Sequence, residues 1–169
     1  MCLALTKERR DINPNGIIVG NPSLKKPESS KVISALSDFA LKIMPNKAGL
    51  FAFNFANVTR NPTASSLLIN DPLMYHEKVF VKTLMEMQDM MEIIDEKLWS
   101  KLQLPPIVII QGELDRASDA INSIRFFEAL PIKEKEMWYY RKMWHMFLYE
   151  EEYPEIEDRA VAWFNSHLK

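Results

Sequence analysis

The stretch Pro105-Pro106-Ile107-Val108-Ile109-Ile110-Gln111-Gly112-Glu113-Leu114-Asp115-Arg116 constrains the fold more than any other. Four successive β-branched residues, bounded by prolines on one side and a glycine on the other, read as a short strand buried on both faces. Strands covered on both faces belong to parallel sheets, because crossover helices pack above and below them. Gly112 then permits a sharp turn, and Asp115 follows just past the carboxyl end of the strand. In open α/β sheets that end of the strand is where ligands and chemistry gather. The next strand candidate, Met137 to Tyr140, is followed by His145, thirty residues beyond Asp115.

The rest of the chain supports an α/β arrangement. Asn13-Pro14-Asn15-Gly16 is a turn signal, and Ile17 to Val19 is a further short buried strand. Ser29 or Ser30 caps a helix carrying Ile33, Leu36, Ala40 and Ile43 on one face. Residues 50–69 read as irregular, and Asp71-Pro72 as the start of a long helix extending toward Lys101, with at most one break. Ser118 or Asp119 caps another helix, and Pro131 stops it. Pro154 opens the last, with Ile156, Ala160, Trp163 and Leu168 on its buried side. The order is strand, long helical insertion, strand, helix, strand, helix, the pattern of parallel strands joined by helices.

Several pieces, in order, resemble one family. They are Gly16-Ile17-Ile18-Val19-Gly20-Asn21-Pro22, a strand ending in a small residue and proline; Asn70-Asp71-Pro72-Leu73; Gln111-Gly112-Glu113-Leu114-Asp115; and His145 followed by Glu150. From Gly16 to Lys169 the chain resembles the C-terminal half of a monoacylglycerol-lipase-like, or serine aminopeptidase-like, α/β-hydrolase. The resemblance implies about three parallel strands with flanking helices and a helical cap insertion. Residues 1–22 would end the N-terminal core part, 23–100 would be the cap, and 101–169 the C-terminal core part. The family's G-x-S-x-G nucleophile elbow does not occur in the sequence. In the family the helix before the first strand begins at the nucleophile, so Met1 is expected to fall a residue or two beyond the missing serine.

Position alone leaves Asp115 and His145 two readings each. Asp115 is a turn-capping aspartate or a catalytic acid; His145, between Trp144 and Met146, is a structural histidine or a general base. The chain order Ser…Asp…His of α/β-hydrolases, carried by the resemblance, selects the acid and the base. Ser23 and Ser65-Ser66 read as solvated turn residues, His167 as a frayed terminus, and Glu150 to Glu152 as a solvated helix start. Methionines crowd the long helix, and Leu84, Met87 and Met91 are expected to be buried. They line either an acyl-chain pocket in the cap or ordinary helix packing.

The resemblance implies a serine hydrolase acting on a lipid ester or another small apolar substrate, incomplete in this chain without its nucleophile. The alternative is a non-catalytic α/β module that binds an apolar ligand or a partner protein. A dinucleotide fold fails because the chain has only four glycines and no glycine fingerprint. No histidine or cysteine pair stands at metal-ligand spacing, so neither a metal nor a cofactor is expected. A net charge of -2 makes no case for nucleic acid. No apolar run reaches the length of a membrane span, which leaves peripheral membrane contact through the cap. The single cysteine, Cys2, fits a reducing compartment, and a cytoplasmic location is expected.

Overall fold

The computed structural model describes residues 14–24, 52 and 54–168. The segment before Pro14 and the expected helix bearing Ile33 to Ile43 lie outside the described residues. Three strands form one parallel sheet in the order β1 (Ile17–Gly20), β2 (Ile107–Gly112), β3 (Lys135–Tyr140). Register runs from Ile17 opposite Ile107 and Ile107 opposite Lys135, so all three carboxyl ends point the same way.

β2 is buried along its whole length because it feeds two cores. Ile107 and Ile109 pack on one face with Ile17, Trp99, Phe126 and Leu130. Val108 and Ile110 pack on the other with Trp138, Met143, Ile156 and Trp163. Strand alternation delivers side chains to both sides, and the apolar run from Ile107 to Ile110 follows. The first core is closed by helix α3 (Ala120–Ala129), the second by helix α4 (Tyr153–His167). Asp119 caps α3 by accepting from Ile121 N, whereas Ser118 turns back to Asp115. In α4, Ile156 and Trp163 are buried as expected, but Leu168 is 69% exposed. It is the helix C-cap, beyond the last turn that faces the sheet. His167 does not fray: its ring stacks on Trp163 at 4.1 Å.

Between β1 and β2 the described chain is helical, but not where the sequence pattern places the helices. Residues 62–70, expected to be irregular, hold helix α1 (Pro62–Asn70). Asn61 caps it by accepting from Thr63 N and Ala64 N, with proline in the first turn. Asp71-Pro72 carries the same cap-and-proline signal yet ends α1 rather than starting a helix. Asp71 is the C-cap, and its side chain accepts from Leu73 N in a local turn. The long helix is α2 (Val81–Glu92), followed by a 3-10 helix over Glu96–Lys101. Trp99 of that segment donates to Ile94 O at 2.6 Å and meets Phe126 edge-on at 5.2 Å, which ties it to the first core. Met87 is 40% exposed and Met91 half-buried, so the expected burial fails for Met87; the Leu84 side chain is not among those described.

Candidate active site

The site is built by two loops that leave β2 and β3 together. Beyond the strand ends their backbones stay bonded: Glu113 N donates to Tyr140 O at 2.9 Å and Leu114 N to Met143 O at 3.2 Å. Met143, fully buried, anchors the second loop in the core. Strand neighbours lie about 4.8 Å apart, and this continued pairing carries that proximity out to Asp115 and His145.

His145 Nδ1 lies 2.9 Å from Asp115 Oδ2. The carboxylate only accepts, so Nδ1 carries the proton between them, and in the neutral ring the lone pair is then on Nε2. Nε2 has no hydrogen-bond partner among the described residues, and the His145 side chain keeps 30% of its exposure. The Asp115 side chain is fully buried. Its Oδ1 accepts from Ala117 N at 2.7 Å and Ser118 N at 3.0 Å, and its Oδ2 accepts from Ser118 Oγ at 2.5 Å. Burial alone would raise the Asp115 pKa, but the bonds from His145, Ser118 and Ala117 outweigh it and hold the carboxyl below its ordinary range. Asp115 thus caps a turn and faces the histidine at once.

Glu150 is not the solvated helix start expected from its acidic surroundings. Its side chain is fully buried. It accepts from Thr59 Oγ1 and Arg60 N, each at 2.7 Å, from Arg60 Nε at 2.5 Å, and from Trp144 N at 3.3 Å. Arg60 also reaches Glu152 at 2.6 Å. Burial would raise the Glu150 pKa too, but hydrogen bonds from Thr59, Arg60 and Trp144 bring it below the usual glutamate value. Met146 N donates to Val58 O at 2.8 Å, so residues 58–60 and the histidine loop form one bonded unit. Arg116, next to the acid, stacks 4.0 Å over the Trp144 ring.

Asn21, at the end of β1, was legible only as part of a strand-end motif. It is buried, and its backbone is left-handed with φ of 43°. Its side chain bonds Gly112 N and the carbonyls of Trp144 and His145. Thr59 and Arg60 carried no sequence signal, because their partner is ninety residues away. Of the remaining candidates, Ser65 and Ser66 lie in α1 and Ser23 is exposed, and among the described residues none of the three is hydrogen-bonded to Asp115 or His145. A cleft of about 310 Å³ lies beside Glu150, walled by Arg60, Asn61, Pro62, Tyr149 and Glu151, with neither Asp115 nor His145 in its lining. Among the described residues no cluster of His, Cys, Asp and Glu could hold a metal, and no helix is long and apolar enough to cross a membrane.

The family described as serine aminopeptidase, S33, matches residues 1–152. The chain belongs to this family. Its three-stranded parallel sheet with flanking helices is part of an α/β-hydrolase fold. Monoglyceride lipase of Rattus norvegicus is 24% identical over 163 residues, which is 96% of this chain and 52% of the relative. The structure of a Paleococcus ferrophilus monoacylglycerol lipase superposes with a TM-score of 0.79 at 25% identity, covering 98% of this chain and 63% of that one. A soluble variant of a Saccharomyces cerevisiae monoglyceride lipase, solved with a substrate analog, also gives 0.79, at 17% identity, over 99% of this chain and 58% of that one. The chain spans about half the length of the curated relative it matches.

Both low carboxyl pKa values make stability depend on acid pH. A carboxyl whose folded pKa is depressed contributes stability that is fully present above its unfolded pKa and is lost as pH falls through the folded one. The ordinary values are 3.8 for Asp115 and 4.5 for Glu150. Urea midpoints should therefore carry the full contribution above about pH 5 and decline progressively below about pH 4. Asp115→Asn combined with Glu150→Gln should flatten that decline. An unchanged slope in the double variant would show that other carboxyls carry the acid sensitivity.

Proposed function

We propose that Asp115 and His145 are the acid and base of a serine hydrolase that cleaves lipid esters of the monoacylglycerol type. The observation that carries this reading is the 2.9 Å bond from His145 Nδ1 to a buried Asp115, with Nε2 unbonded among the described residues. The kinship with monoacylglycerol lipases supports the substrate class. G-x-S-x-G does not occur in the sequence, so in this reading the serine is supplied by a segment other than residues 1–169.

The serine hydroxyl attacks the ester carbonyl and its proton passes to His145 Nε2. Asp115 stabilises the imidazolium and keeps the other ring proton on Nδ1. When the tetrahedral intermediate collapses, the carbon–oxygen bond to the glycerol breaks and Nε2 returns the proton to the departing oxygen. Water then takes the part of the serine and releases the fatty acid. In this reading residues 23–100 belong to the cap, and Met87 and Met91 are assigned to the acyl chain. The exposed Leu67, Leu73 and Phe80 of the same segment suit contact with a lipid surface.

The test uses a serine-directed fluorophosphonate. The chain alone should not label. Joined to the N-terminal part of the Paleococcus ferrophilus monoacylglycerol lipase, it should label stoichiometrically and release fatty acid from a monoacylglycerol. His145-dependent labelling of the chain alone would place the nucleophile within it. A joined protein that melts cooperatively but neither labels nor hydrolyses would favour a non-catalytic module that binds an apolar ligand.

A further inference from the structure

We infer that Asn21 and Glu150 form a clamp that sets the backbone of His145, and so are positioning residues for the base. This rests on the acid–base reading of Asp115 and His145. Its evidence is a separate network, buried and fully paired.

Asn21 uses every hydrogen-bonding group it has in its side chain. Its two amide hydrogens go to Trp144 O, at 3.1 Å, and to His145 O. Its Oδ1 accepts from Gly112 N at 2.8 Å, and its own N donates to Ile110 O at 2.8 Å. The amide orientation is forced, since Gly112 N can only donate and the two carbonyls only accept. Glu150 holds the same loop from the other side through Trp144 N, and its remaining acceptor capacity goes to Thr59 and Arg60.

The consequence is geometric. Peptide units are planar, so holding the units on both sides of a Cα sets that residue's φ and ψ. The unit before His145 is held through Trp144 O. The unit after it is held three times, through His145 O by Asn21 and Phe147 N and through Met146 N by Val58 O. Only the two side-chain torsions of His145 then remain, and the bond to Asp115 takes those. The unit before Trp144 is held by Glu150, so the grip starts one residue earlier. Because Asn21 also binds Gly112, where the acid loop begins, one side chain references the base to the strand that carries the acid.

A misplacement of about 1 Å costs on the order of 100-fold in rate. The informative variant is Asn21→Asp. It keeps the size, tolerates the left-handed backbone and keeps an acceptor for Gly112 N. It removes both donations and sets a carboxylate against two carbonyls.

In the unmodified chain, proton NMR should show a slowly exchanging Nδ1–H of His145, assigned by its loss in Asp115→Asn. In Asn21→Asp that proton should exchange at least about tenfold faster while the Gly112 amide stays protected. Glu150→Gln should release the Trp144 amide. Retention of wild-type exchange at both His145 and Trp144 in either folded variant would overturn the clamp. If neither variant folds, the unmodified chain decides: Gly112 N–H, Trp144 N–H and His145 Nδ1–H should share one opening constant, and three unrelated constants would overturn it. In the joined protein, Asn21→Asp should lower kcat about 100-fold with little change in KM. An absence of hydrolysis in the unmodified joined protein would count against the lipid-ester reading, and the exchange data would still test the clamp.

Discussion

Gly112→Ala is expected to cost about 3 kcal/mol or more, enough to remove much of the stability of a chain this size. A Cβ at Gly112 would stand 2.3 Å from Met143 O, 2.8 Å from Met143 C and 3.0 Å from Trp144 O. All three are backbone atoms that cannot swing aside. Met143 O is bonded by Leu114 N, the Met143 side chain is fully buried, and Trp144 O is held by Asn21. The only relief is to part the loop after β2 from the loop after β3, which pulls Asp115 from His145. Urea unfolding monitored by Trp fluorescence measures the cost, and the His145 Nδ1–H resonance reports the contact. A loss below about 1 kcal/mol with that resonance intact would mean that the loops yield where the packing says they do not.

In the joined protein, the roles proposed for Asp115 and His145 predict that Asp115→Asn lowers kcat by roughly 10⁴-fold, as the equivalent change does in a serine protease triad. The cause is the tautomer. The side-chain oxygen of the substituted amide would be drawn to Ala117 N and Ser118 N, which Asp115 now bonds at 2.7 and 3.0 Å. The amide nitrogen would then face His145 Nδ1 and drive the ring proton to Nε2, where the base must be free. His145→Ala removes the base and should cost as much, and it should keep the melting cooperativity of the unmodified protein because His145 is partly exposed. Stopped assays on a soluble monoacylglycerol, with kcat and KM separated, measure this. A fall of less than about tenfold in either variant would remove the pair from the mechanism.

How much of this was readable in advance depends on the range of each interaction. The three strands, their parallel sense and the approach of Asp115 to His145 follow from local signals: a β-branched run, a turn glycine and a residue just past each strand. The helices around Pro62 and Pro72 went the other way. Asn61-Pro62 and Asp71-Pro72 carry equal caps, and propensity alone does not choose between them. Once α1 forms, its C-terminus consumes Asp71.

The sequence by itself determined the buried central strand and its neighbours, because burial on both faces demands an unbroken apolar run that nothing else explains. It also determined the acidic and imidazole side chains at adjacent strand ends. Only the tertiary structure decided what surrounds them. Glu150 reads as one more solvated acid until Thr59, Arg60 and Trp144 close on it. Asn21 reads as a strand-end residue until the loops of Gly112 and His145 arrive at its amide. A charge or amide is placed in a core by partners distant in the chain, and hydrogen bonding of that range leaves no periodicity in the sequence to read.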